Sequence, residues 1–311
     1  MRAHHAEQDI WLNGRAFGRQ KSYRLKWKGC GMRVGSDEHK RLFCEEFLAS
    51  HISYEPEELP WPALDDISVA RLRALPFWTI ALEAEVNAGS MLSGFAATEP
   101  DPLVRKALDL QAYEENRHGR LIATMIDRYG IGTGSIEMTQ PPTRASFIDF
   151  GYNECVDSFA GFGFYKLACN AGIFPESLTS LFSRGLNEEA RHIVFFINWV
   201  AYDRSLRGYG APLLQAVPTL LGYAGAIARR AKIGNAVQGN GESHEPGLFD
   251  DALRGLTPSL VLQTCIDENE RYMSGFDQRL LRPRVIPTIA RVALAMISVI
   301  PPRKQPAKPA R

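Results

Sequence analysis

The stretch Glu114-Glu115-Asn116-Arg117-His118 recurs as Glu188-Glu189-Ala190-Arg191-His192, 74 residues further along the chain. Each copy contains Glu-x-x-His. On an α-helix, positions i and i+3 lie about 60° apart on one face, so a carboxylate and an imidazole at this spacing reach one point. One such pair recurs easily by chance, whereas two in the same five-residue form constrain the chain strongly. Two further acids extend the pattern: Glu85 precedes Glu115 by 30 residues, and Glu154 precedes Glu189 by 35. Both intervals fit one helix, a turn and the middle of the next antiparallel helix. Glu, Glu-x-x-His, Glu and Glu-x-x-His from four helices are the ligand set of a carboxylate-bridged di-iron or di-manganese centre in a four-helix bundle.

The surrounding residues agree with helices at these places. The first is expected over Pro76–Ala97, where Trp78, Leu82, Ala88, Leu92 and Phe95 form an apolar stripe through Glu85. A carboxylate in such a stripe is buried and needs a cation. Glu83 is the rival on this helix, but it lies about 200° round among polar residues. The second helix runs from Pro102 to Tyr129, with Gly130 ending it. The third spans Thr143–Ala171 and the fourth Pro175–Gly208. The recurring small residues Ala160, Gly161 and Gly163 would leave room for a substrate, with Phe150, Ala160, Gly161, Phe182 and Phe196 as candidate lining. Trp78, Tyr113 and Tyr165 read as core aromatics, Cys155 as a small buried hydrophobe, and Asp157 as a polar residue of the bundle rather than a seventh ligand.

Three regions follow. Residues 1–74 are an irregular basic arm and short helices, with Ser36 capping Ser36–His51, an extended proline-rich linker over Glu55–Pro62, and Asp65 or Asp66 starting a helix to Ala74. Residues 75–208 are the bundle. Residues 209–311 hold an apolar helix over Pro212–Ala228, a polar loop over Gly234–Pro246, an amphipathic helix over Thr257–Leu281, the apolar segment Val285–Ile300 and a basic tail. Neither apolar segment reaches the ~20 residues of a membrane span, so docking on the bundle or on a membrane surface is expected.

A net charge of +1 gives no global pull toward nucleic acid, although Arg15–Arg33 carries seven cations and no acid. Five scattered cysteines without Cys-x-x-Cys suit a reducing cytoplasm. The N-terminal residues lack the apolar core of a signal peptide.

The chemistry assigns roles. Four carboxylates balance two Fe²⁺ ions, and oxygen and imidazole donors suit iron. Glu115 and Glu189 are the candidate bridges, Glu85 and Glu154 the terminal ligands, with one neutral imidazole, His118 or His192, per metal. Glu114 and Glu188 are placed to accept the free ring N–H of the opposite histidine, and Arg117 and Arg191 to balance those outer carboxylates. His4, His5, His39, His51 and His244 fall outside the pattern and read as non-ligands.

On these motifs the chain resembles the ferritin-like di-iron carboxylate superfamily. Arginine before each histidine is similar to its oxygen-activating branch, the acyl-carrier-protein desaturases and bacterial multicomponent monooxygenases. The resemblance covers roughly residues 75–207. It implies an all-α, ferritin-like four-helix bundle with additional N- and C-terminal helices. It also implies an O2-dependent oxidoreductase with two iron ions, or a manganese–iron pair, acting on an organic and largely apolar substrate. The expected partners are that substrate, O2 and an electron donor; a membrane surface and a second copy of the chain are further candidates, and nucleic acid is not. A ferroxidase or iron-handling protein is the alternative.

Overall fold

Side-chain caps start five helices. Ser36, Asp65, Asp101, Thr143 and Thr257 each accept a hydrogen bond from a backbone N–H two or three residues ahead. The computed structural model describes residues 32–75, 78–137, 140–209, 212–239 and 256–299. The helices are α1 (Asp37–Ala49), α2 (Asp66–Ala74), α3 (Trp78–Ala96), α4 (Pro102–Tyr129), α5 (Arg144–Asn170), α6 (Glu176–Leu206), α7 (Pro212–Gly239), α8 (Pro258–Met273) and α9 (Val285–Val299). Every regular element among the described residues is helical, an all-α arrangement. Most of the basic arm, residues 1–31, and the tail, 300–311, lie outside them.

Three boundaries differ from expectation. The linker after α1 contains a 3-10 turn, Pro56–Glu58, because its proline, at the first position of the turn, needs no N–H partner there. Helix α7 continues to Gly239, into the first part of the segment expected to be a polar loop, whose residues 240–246 lie outside the described residues. Residues 229–238 hold mostly good helix formers, and an isolated glycine costs only about 1 kcal/mol. Helix α8 stops at Met273 instead of Leu281. The residues beyond it are used differently: Leu281 exchanges two 2.9 Å backbone bonds with the amide of buried Asn198 on α6, whose oxygen also meets His39 Nε2 of α1 at 2.9 Å. Asn198 thus ties α1, α6 and the chain after α8 together.

Helices α3 and α4 form one hairpin and α5 and α6 another. The hairpins meet through α3 on α5 and α4 on α6, α1 lies against α4 and α6, and α7, α8 and α9 all touch α5. Gly163 of α5 admits α8: a Cβ there would sit 2.8 Å from the Cys265 Cα. The small residues of α5 were expected to leave room for a substrate, but at Gly163 the room is filled by a neighbouring helix.

The apolar core comes in two parts. The larger holds Ala88, Leu92 and Phe95 of α3, Leu108 and Ala112 of α4, and Ile193 and Phe196 of α6. The smaller holds Trp78 and Leu82 of α3, Leu121, Ile122 and Met125 of α4, and Leu178 and Leu181 of α6. Between the two parts, on the same three helices, stand Glu85, Glu115, His118, Glu189 and His192. The helices therefore carry apolar residues above and below one polar layer.

Candidate metal centre

Helices α4 and α6 each turn a Glu-x-x-His pair into this layer. Glu115, His118, Glu189 and His192 each offer one ligand atom within 4.8 Å of all the others. Both imidazoles point Nδ1 inward. His118 Nδ1 lies 3.0 Å from one Glu189 oxygen and 3.7 Å from a Glu115 oxygen. His192 Nδ1 lies 3.0 Å from the other Glu115 oxygen and 3.6 Å from the other Glu189 oxygen. Each of these carboxylates therefore spans both histidines, one oxygen to each, as a bridging ligand must. Glu85 reaches His118 alone, at 3.6 Å. Glu154 of α5 is half-buried beside Glu189.

The outer atoms of the rings are held crosswise. His118 Nε2 meets Glu188 at 2.8 Å and His192 Nε2 meets Glu114 at 2.9 Å. These carboxylates are anchored in turn. Arg191 donates to Glu114 at 2.7 Å, and Arg117 donates to Glu188. The segment after α1 supplies a third partner on each side: His51 Nδ1 is 2.6 Å from Glu114, and the Tyr54 hydroxyl donates to Glu188 at 3.2 Å. Together with the last turn of α1 it also fixes the arginines, since Ser50 Oγ and the α1 carbonyl of Phe47 accept from Arg191, and the Ile52 and Tyr54 carbonyls accept from Arg117. His51 is not among the clustered ligand atoms, but its contact with Glu114 was not expected. No periodic signal marks residues 50–54, because an irregular segment reaches the site through its backbone path.

No family model, curated protein or solved structure matches the chain. What the site can do therefore follows from its own chemistry. Burial opposes charge on every group in it. At Glu115 and Glu189 the imidazoles overcome burial and pull the carboxyls below the ordinary range, Glu189 well below. At His118 and His192 burial is likewise outweighed by the surrounding carboxylates, which raise both rings well above the ordinary value. Burial wins at Glu85, raised to about 8, and at Glu154, raised well above the usual range with Glu189 adding to the effect. Burial also opposes the charge of Glu114, but His192 and Arg191 hold it well below that range.

This pattern fits a bound metal cation. Buried Glu189 Oε2 and His192 Nδ1 have no hydrogen-bond partner, although each faces charged neighbours. A buried carboxylate oxygen and an inward-turned ring nitrogen, both without a well-formed hydrogen bond, suit a metal ion. Carboxylate and imidazole donors bind iron, manganese or zinc.

Metal uptake should release protons. The surroundings raise the pKa of His118, His192, Glu85 and Glu154, so these groups hold protons more tightly than usual, and any that is protonated must lose its proton to ligate. Stopped-flow mixing of metal-free protein with Fe²⁺ in a weakly buffered indicator solution is expected to show up to four protons released per two ions. Affinity should fall as pH drops below 8, because protonation of Glu85 and the other three groups then competes more strongly. A pH-independent affinity with no proton release would remove these side chains from the ligand set.

The five candidate lining residues do not gather into one wall. Phe150 and Phe196 are buried in the larger core, and Phe196 lies against Gly151. Phe182 packs on the smaller core. The Ala160 carbonyl is directed toward Cys265 Sγ, 4.0 Å away on α8. Gly161, two turns from Glu154, has only Leu186 Cδ2 near its Cβ position, at 4.0 Å. Tyr113, read as a core aromatic, lies at the surface and donates to Glu55 at 2.7 Å. Asp157 pairs with Arg230 of α7, so it serves the packing of that helix.

Proposed function

We propose that this chain is an O2-dependent di-iron oxidoreductase with a ferritin-like four-helix bundle, α3–α6, acting on an organic, largely apolar substrate. The observation that carries the reading is the pair of carboxylates, Glu115 and Glu189, that each span two inward-turned imidazoles. Bound there, with Glu85 and Glu154 as single-ion ligands, two iron ions or a manganese–iron pair would supply O2 binding and redox chemistry.

The chain's own residues favour resident ions over ions in transit. Glu188 and Glu114 accept the Nε2–H of His118 and His192, which presents Nδ1 as the ligating atom and raises its basicity. Arg117 and Arg191 keep those carboxylates in place, and the fully buried Arg117 also lies 3.9 Å over the Tyr54 ring. A site that passes ions onward needs ligands that let go, whereas each ring here is held by a carboxylate that has two further partners: Arg191 and His51 for Glu114, Arg117 and Tyr54 for Glu188. The layer is closed around the histidines and more open at the single-ion carboxylate Glu85, whose side chain is 23% exposed, against 5% for His118 and 0% for His192. A substrate would approach from the carboxylate side, where Gly161 lies two turns from Glu154.

Two measurements test this. Fe²⁺ added to metal-free protein in air should be oxidised up to about two equivalents, the content of a di-metal site. Further O2 uptake should need an electron donor and a substrate. Gly161→Phe places a ring in the open space by Leu186. It should lower substrate-coupled O2 uptake at least about tenfold by blocking access, with metal content unchanged. Oxidation of hundreds of Fe²⁺ per chain into a soluble mineral would replace this reading with iron storage.

A further inference from the structure

Two helices expose the wrong residues for a surface that meets only water. Val217, Leu220, Leu221 and Ile227 on α7, and Ile289, Val292, Met296 and Val299 on α9, are between 41% and 81% exposed. At 100° per residue each set forms one stripe. On α7 the stripe faces away from buried Tyr223 and Ala226; on α9 it faces away from buried Ile286, Pro287 and Ala290. The helices touch each other and both lie against α5.

The charge of these segments is one-sided. Neither Pro212–Gly239 nor Val285–Arg311 contains an aspartate or glutamate, and together they carry eight arginines and lysines. Arg229, Arg230 and Arg291 pair with Asp149 and Asp157 of α5 and Glu270 of α8. Arg303, Lys304, Lys308 and Arg311 follow α9 in the sequence, with no acid among them. A second copy of this chain on the same face would set apolar stripes together but supplies no acid in these segments for the four cations that follow α9. An anionic lipid surface meets both features, with acyl chains for the stripes and phosphates for the cations. No described helix is long and apolar enough to cross a membrane, so the stripes would lie on it.

We propose that α7 and α9 form a platform that docks this protein on an anionic phospholipid membrane. Docking stands apart from the metal chemistry. If the proposed oxidoreductase function holds, the platform also sets α5, which carries Glu154, beside the bilayer as a source of apolar substrate.

The test is flotation of the full chain with phosphatidylcholine vesicles, with and without phosphatidylglycerol. The variants Leu220→Glu/Leu221→Glu and Val292→Glu/Met296→Glu change exposed positions only, and circular dichroism and metal content confirm that each remains folded. The wild-type chain should float with the anionic vesicles alone, and each double variant should lose at least about tenfold of the bound fraction. Flotation that ignores lipid charge, survives both double substitutions or never occurs would overturn the proposal. A dimer in light scattering that both variants abolish, without lipid binding, would assign the face to a second copy and overturn it equally.

Discussion

Glu189→Ala is expected to empty the centre of both metal ions, and His118→Ala to empty it of one. The difference follows from reach. The two oxygens of Glu189 lie 3.0 Å from His118 Nδ1 and 3.6 Å from His192 Nδ1, so one carboxylate serves both halves of the site. Glu115 does the same with its oxygens exchanged, and Glu115→Ala should match Glu189→Ala. In the proposed centre His118 would ligate one ion only. Glu114→Ala removes an orienting group rather than a ligand, and its cost should be about 10–100-fold in affinity rather than loss of the pair. Metal analysis of protein purified with iron present, expressed per folded chain, decides the order. Metal content unchanged in Glu189→Ala would remove the assignment of the centre.

Arg117→Met should destabilise the metal-free protein by about 3–5 kcal/mol, the cost of removing one partner of a buried ion pair. Arg117 is fully buried, and its guanidinium meets Glu188, two backbone carbonyls and the Tyr54 ring. Arg120, one turn further along α4, gives the comparison. It pairs with Glu55 at 2.5 Å, but its side chain is 41% exposed. Solvent screens that pair, so Arg120→Met should cost no more than about 1 kcal/mol. At roughly 2–4 °C per kcal/mol for a domain of 150–250 residues, Arg117→Met should lower Tm by on the order of 10 °C and Arg120→Met by a few degrees. The double variant Arg117→Met/Glu188→Gln should recover part of the loss, since no unpaired charge then remains. Equal Tm values for the two single variants would mean that the Arg117 pair is no stronger than a surface contact.

Much of the site was legible because its information is local. The i, i+3 spacing places Glu115 with His118 and Glu189 with His192 on any helix, and the duplication supplies the second half. Glu85 over Glu83 also followed from helical rotation, and Glu85 is the one within 3.6 Å of His118. Caps such as Asp101 and the left-handed Gly130, φ 60°, set the ends of α4 from neighbouring residues alone. Glu114 and Glu188 stood next to the proposed bridges, and the fold sets each against the opposite imidazole.

Other features needed the folded chain. Small residues on α5 read alike whether they border a substrate or another helix, and only packing shows that Gly163 belongs to Cys265. Residues 50–54 have no period, so nothing local announces that Ser50, His51 and Tyr54 reach groups on α4 and α6. The ends of α7 and α8 turned on weak competition: an isolated glycine did not stop one helix, and the Asn198 amide captured Leu281 beyond the other. The sequence by itself determined which side chains share a helical face, because rotation per residue is constant. The tertiary structure alone decided which faces meet, because contacts between distant segments depend on how every side chain packs at once.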